Sequence, residues 1–284
     1  MSQQGPILIV STGGRPSFAS ALHETKLFPV VDADWADAVR AVEQLRPGAV
    51  LASGSGMDKP AMEALAQQVA SRQPYLPLIA VDPPSRLPEG VIPFAHSEDH
   101  PERLLSRVSS ALRVRSLHAT VMRRLDQPRR VAISDIDPAR DATVLLIGRG
   151  GAYPALSVAL GERMGVVGAL SIEAAAKHLN SRDINGIVLA EGFTPRVTDA
   201  FLTVLAEDAR FRNLPVVVAS GAVRATYELA NLEVVAGDPA RITASILPMV
   251  RQNAFEVHLS RTLRSIDADG LIEPRTNLLT RAAF

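Results

Sequence analysis

Ile7-Leu8-Ile9-Val10 runs into Ser11-Thr12-Gly13-Gly14, and Val144-Leu145-Leu146-Ile147 runs into Gly148-Arg149-Gly150-Gly151. Each stretch is an unbroken apolar run followed by glycines. That is the pattern of a strand buried on both faces which hands the chain to a tight turn. The second stretch follows the first by 137 residues. Two further pairs keep step at 138 residues: Val50-Leu51-Ala52 with Val188-Leu189-Ala190, and Leu76-Pro77-Leu78-Ile79 with Leu214-Pro215-Val216-Val217. A repeat this long is a duplicated domain rather than a solenoid unit.

Working outward, the first half reads as strands at 6–10, 28–31, 49–52, 76–81 and 91–95. Helices are expected at 17–26, 35–45 and 60–71, with a long one opened by Pro101, since proline suits the first helical position. Trp35, Ala38, Val39, Val42 and Leu45 share one helical face, and Pro47-Gly48 ends it. The second half gives strands at 143–147, 166–170, 186–190, 214–219 and 232–236, and helices at 154–163, 172–180, 197–210 and from Pro239 to about 266. Strands alternating with helices of this length mean parallel βαβ units. Five strand–helix pairs per half imply an α/β chain of two flavodoxin-like, doubly wound, five-stranded parallel-sheet domains in tandem, each with strand order 2-1-3-4-5.

The expected division is a first domain at 1–127, a linker at 128–142, a second domain with an extended last helix at 143–266, and a terminal segment at 267–284. Pro128 and Pro138 forbid one helix through the linker. The helix before it carries Val114, Leu117, Val121 and Leu125 at coiled-coil-like spacing, and the last helix carries Ile242, Ile246 and Met249, then Leu259, Leu263 and Ile266. The start of each helix suits its own sheet. The overhang suits either further burial or a homodimeric, signal-transmitting contact.

Composition narrows the function. The 284 residues are 47% hydrophobic, enough for two cores, and 30 basic residues balance 30 acidic ones. That balance argues against nucleic acid or an anionic membrane as principal partner. Arg123, Arg124, Arg129 and Arg130 read as a solvated helix end and linker. With no cysteine, disulfides, thiolate metal sites and cysteine nucleophiles are out. The start has no signal-peptide pattern and the apolar runs are far shorter than the ~20 residues a membrane span needs. A cytoplasmic protein is expected.

Tandem five-unit βα domains of this size resemble receiver (CheY-like) domains of two-component response regulators. Thr276-Asn277-Leu278-Leu279-Thr280-Arg281-Ala282-Ala283-Phe284 is similar to the "TGLLNRRAF" opening of GGDEF (diguanylate cyclase) domains and follows a long helix, as in that family. The resemblance implies a layout of receiver, receiver and GGDEF domain, with this chain reaching the opening of the third. No Gly-Gly-Asp/Glu-Glu-Phe loop occurs in it, so the expectation is a non-enzymatic regulatory part of a bacterial cyclic-di-GMP signalling protein.

A working receiver, by that resemblance, carries an acceptor aspartate after its third strand and an acidic pair after its first. It also has Ser or Thr after the fourth strand and Lys after the fifth. Mg²⁺ wants hard oxygen ligands, and a transferred phosphoryl group needs a carboxylate to receive it and cations to offset its charge. In the first half the acidic pair falls on Ser11 and Thr12, the acceptor on Ser53, the hydroxyl position near Asp82 and the lysine position near His96. In the second half they fall on Gly148 and Arg149, Glu191, Ser220 and near Gly237. Serine cannot form the acyl phosphate. Glu191 is either a mimic of the phosphorylated state or a solvated loop residue. An Arg149–Glu191 ion pair is expected to replace the metal.

The implied work is pseudo-receiver recognition: homodimerisation and binding of signalling proteins, with no metal or cofactor, and with the contact face at 222–229 and the start of the last helix. The alternative is a nucleotide or small-molecule sensor built on the glycine turns, although the G-x-G-x-x-G and Walker spacings are absent. His258 in His-Leu-Ser-Arg-Thr-Leu has a slight likeness to a histidine-kinase phosphoacceptor helix but lacks its acidic residue and proline, and reads as a surface residue. His96 and His100 lack a third ligand.

Overall fold

In a computed structural model the structure describes residues 5–83, 87–125, 141–219, 223, 227–268, 276 and 278–281. The first sheet is built from β1 (Ile7–Ser11), β2 (Val30–Asp34), β3 (Ala49–Ser53), β4 (Leu78–Val81) and β5 (Ile92–Phe94), in the order β2-β1-β3-β4-β5. The second holds β6 (Thr143–Ile147), β7 (Gly165–Ala169), β8 (Gly186–Leu189), β9 (Val216–Val218) and β10 (Leu232–Val234), in the order β10-β9-β8-β6-β7. Numbered within its half, each is 2-1-3-4-5, and every recorded pairing is parallel. The doubly wound α/β architecture expected from the repeat is the one observed.

The helices are α1 (Phe18–Glu24), α2 (Ala38–Leu45), α3 (Lys59–Ala70), α4 (Glu102–Leu125), α5 (Tyr153–Gly161), α6 (Ile172–Ser181), α7 (Pro195–Glu207) and α8 (Pro239–Asp267). Alternation along β1 shows how they are placed. Ile7 and Ile9 face α1 and α4, and Leu8 and Val10 face α2 and α3. In the same way Val144 and Leu146 face α5 and α8, and Leu145 and Ile147 face α6 and α7. Both faces of each sheet are covered, so the strands read as solid apolar runs.

Local chemistry sets the boundaries. Pro29 cannot donate, and its carbonyl accepts the Ile7 N–H at 2.8 Å. β2 therefore begins one residue beyond it and runs later than the sequence implies. The helix expected from Trp35 opens as a single 3₁₀ turn, with Asp34 accepting the Ala36 N–H, before α2 proper. Asp238 caps α8 by accepting the Arg241 N–H at 2.8 Å, and Pro239 fills its first position. The fourth strand–helix pair of each half, expected from the sequence, has no helix among its described residues; in the first half Pro83, Pro88 and Gly90 punctuate the segment. Of the expected linker, only residues 141 and 142 are described, and Ala142 is buried.

The two halves are joined by one apolar cluster. It runs from β1, α1 and α4 of the first unit to β6, α5 and α8 of the second. Beyond it α4 and α8 run side by side. Val114 and Val121 pack with Leu259, flanked by Leu117, Leu125, Phe255, Leu263 and Ile266. Tyr75 and His118 meet the Phe255 ring edge-to-face at 5.8 and 5.0 Å. The overhanging stripes read in the sequence are thus each other's partners within one chain. None of the described helices is long and apolar enough to cross a membrane.

Candidate functional site

At the carboxyl edge of the first sheet, β1 ends in Ser11 and β3 in Ser53, both buried. Ser11 donates its hydroxyl to the Gly14 carbonyl at 2.8 Å, which folds the turn back on itself. Gly13 and Gly14 take φ of 74° and 131° there, values that favour glycine. Thr12 lies against Gly56 of the loop after β3. Asp82, directly after β4, has φ of 50° and accepts the His96 N–H at 2.8 Å. This carboxylate holds two loops together and has no acidic companion at the first-strand or acceptor position. His96 meets the Phe18 ring edge-on at 6.1 Å. The His100 ring lies 3.2 Å from Glu102.

The second edge is closed by backbone. The Arg149 N–H donates to the Glu191 carbonyl at 2.9 Å, and the Gly150 N–H to the same oxygen at 3.3 Å. A Cβ on Gly150 would lie 2.7 Å from the Glu191 carboxylate, and one on Gly148 would lie 2.8 Å from the Ala190 Cβ. Close approach of the two loops accounts for both glycines. The expected Arg149–Glu191 ion pair does not form. The Arg149 guanidinium instead lies 5.1 Å from the Phe193 ring centroid, a cation–π contact. Glu191 is exposed. Ser220 lies outside the described residues, as do Ala222, Arg224, Ala225 and Thr226 of the expected contact face. Gly237 packs against the Arg241 side chain with φ of 147°. Among the described residues no group of three His, Cys, Asp or Glu side chains is placed to hold a metal ion.

The polar chemistry the sequence reading missed lies between the units. Arg107 on α4 is fully buried and pairs with Glu233 on β10 at 2.8 Å. It also donates to the carbonyls of Ala230 at 2.8 Å and Pro93 at 3.3 Å. Arg103 donates to the Leu232 carbonyl at 2.8 Å, and the other Glu233 oxygen accepts the Ala95 N–H at 3.4 Å. Burial pushes the Arg107 guanidinium down and the Glu233 carboxyl up, and their mutual attraction opposes both shifts. The signal was present in the sequence as a charge interrupting each apolar pattern: Arg107 between Leu104 and Val108, and Glu233 between Leu232 and Val234.

Beside this pair a cleft of about 1090 Å³ opens between the segment before β5 and the first turns of α8. Its walls include Phe94, Glu233 and Thr243, with Arg163 and Arg241 at the surface. Glu89 and Arg251 pair across it.

No family model matches the chain. No curated protein matches it either. Among solved structures, two described as two-component system response regulator/GGDEF domain proteins align over 93% of this chain and 100% of theirs. Their identities are 13% and 12% and their TM-scores 0.30 and 0.32. A 2-hydroxyacid dehydrogenase from Rhizobium etli CFN 42 aligns over 99% of each chain at 14% identity and a TM-score of 0.23. Overlaps of this quality do not choose between a regulator and a dehydrogenase, and the functional reading rests on the chain's own residues.

Proposed function

We propose that the chain is a non-catalytic regulatory module of a bacterial signalling protein, made of two pseudo-receiver units that work by assembly and protein recognition without aspartyl phosphorylation. The observation that carries this reading is the state of the two strand edges. The acceptor positions hold Ser53 and Glu191, and the acidic-pair positions hold Ser11, Thr12, Gly148 and Arg149. Ser11 closes the first turn onto the Gly14 carbonyl, Asp82 joins its loop to the His96 N–H, and the Arg149 N–H joins its loop to the Glu191 carbonyl. A phosphoryl group needs a carboxylate to receive it and a cation to offset its charge; Ser53 supplies no carboxylate, and at the Glu191 edge Gly148 and Arg149 stand where a receiver's Mg²⁺-binding acids would be.

The module's output is the direction of α8. The two long helices lie side by side, so any shift of one unit against the other moves the end of α8 and the segment after it, which carries the GGDEF-like signature. The glycine-turn sensor gains no support, since positive φ accounts for Gly13 and Gly14 and close approach for Gly148 and Gly150.

The test is Mg²⁺ with acetyl phosphate or beryllofluoride. Trp35, the single tryptophan, is buried just beyond β2 at the first edge and serves as the fluorescence probe. The expected result is no incorporated phosphate and no Mg²⁺-dependent change in Trp35 emission. Stoichiometric, Mg²⁺-dependent labelling would overturn the reading.

A further inference from the structure

The four edge strands of the two sheets are β2, β5, β7 and β10. An unprotected edge is a template for another strand, and proteins block it with charge, proline or a cover. Three of these edges are blocked. β2 carries Asp32 and Asp34, with Arg15 paired to Asp32 at 2.8 Å. β5 carries Pro93, and its carbonyl is taken by Arg107. The Leu232 carbonyl of β10 is taken by Arg103. β7 reads Gly165-Val166-Val167-Gly168-Ala169, with no charge and no proline, and Leu170 after it is 60% exposed.

The backbone of β7 shows which groups are free. Gly165 donates to Ala142 at 2.9 Å and the Ala169 carbonyl accepts from Gly148 at 3.0 Å, both on the β6 side. Alternation along a strand then turns the peptide groups of Val166 and Gly168 to the open edge. Charge selects what pairs with them. The neutral run is preceded by Arg163 and followed by Glu173, both exposed. An antiparallel copy of the same segment brings each Arg163 toward the other copy's Glu173. If the two-fold axis passes through Gly168, Val166 lies opposite Leu170, and Arg163, in the turn before β7, and Glu173, in the first turn of α6, flank the paired residues at matching ends.

We infer that β7 is the surface at which a second copy of this chain adds, antiparallel and centred on Gly168, joining the two second sheets into one. This names the surface for the assembly proposed above and rests on that reading. The interunit face is already filled within the chain by Arg107, Glu233 and the α4–α8 stripe, and among the described residues β7 is the edge left open.

The experiment is sedimentation equilibrium of the full chain across a concentration series, with melting curves to show that each variant is folded. Glu173→Arg or Arg163→Glu alone places like charges at both symmetry-related ends and is expected to weaken dimerisation about tenfold or more. The combined swap restores it, and Leu170→Lys weakens it independently. A dimer indifferent to either single reversal, or a swap that does not restore it, overturns the β7 surface while leaving a homodimer through another face. A chain monomeric at every concentration overturns the assembly itself. Neither outcome bears on whether the strand edges accept phosphate, which the acetyl phosphate test reads separately.

Discussion

Arg107 and Glu233 stand 126 residues apart in sequence and 2.8 Å apart in space, both sealed from solvent where the two sheets meet. The pair is satisfied on all sides. Arg107 also donates to Ala230 and Pro93, and Glu233 also accepts from Ala95. Such a contact adds little net stability over apolar groups of the same shape, but it penalises any arrangement that separates its halves. It therefore fixes one relative placement of the units, and with it the direction of α8.

Breaking the pair from one side should cost far more than removing it whole. Arg107→Ala strands a buried carboxylate and is expected to lower stability by about 3–5 kcal/mol. Arg107→Met combined with Glu233→Leu should recover most of that loss. Urea unfolding of the two single variants and the double measures the cycle. Equal losses in all three would mean the charges are solvated in solution.

The α4–α8 stripe should behave as core. Leu259 is fully buried against Val114 and Val121, so Leu259→Ala is expected to cost about 2–5 kcal/mol. Val121→Ala added to it should cost less than the sum of the two singles, since both empty one cavity. Strict additivity would mean that the helices do not touch in solution.

The topology was legible because buried parallel strands leave unbroken apolar runs, and here the runs repeat at nearly fixed spacing. The turn positions were legible for the same reason: Ser11, Ser53, Asp82, Gly148 and Glu191 stand at or just beyond the strand ends. What stayed hidden was direction and partnership. Arg149 was placed on the correct loop, but Phe193, two residues beyond Glu191, offered its guanidinium a ring instead. The stripe of Val114, Leu117 and Val121 announced a partner helix, yet periodicity does not say whether that partner belongs to the same chain. Arg107 and Glu233 each broke an apolar pattern, and nothing local tied one break to the other.

Asp82 should prove structural rather than ligating. It sits in the left-handed region, where Asn and Asp are tolerated better than most residues, and it accepts the His96 N–H at 2.8 Å. Asp82→Asn keeps both properties and is expected to change stability by less than about 0.5 kcal/mol. Asp82→Ala loses the acceptor and adds strain, and should cost about 1–3 kcal/mol. Thermal melts with and without Mg²⁺ separate the cases, because a Mg²⁺-dependent gain in the native protein that Asp82→Asn abolishes would make this residue a metal ligand.

Acidification should loosen the interunit contact through His118. Its Nδ1 accepts the Tyr75 N–H at 2.9 Å while its ring meets Phe255 of α8. Burial, then the nearby Arg115, holds the imidazole below its ordinary value of 6.5. The unfolded chain therefore takes up the proton first as pH falls. Its contribution to stability is complete above 6.5 and is lost as the pH drops from there through the lowered folded value. His258 on α8 is lowered in the same way, by burial and Arg261, and adds to the same window. His118→Gln retains an acceptor for Tyr75 without titrating, so its stability should vary less with pH across that window than that of the native chain. Urea midpoints between pH 5 and 8 measure this, and parallel curves for the two proteins would show that His118 is already free to protonate when folded.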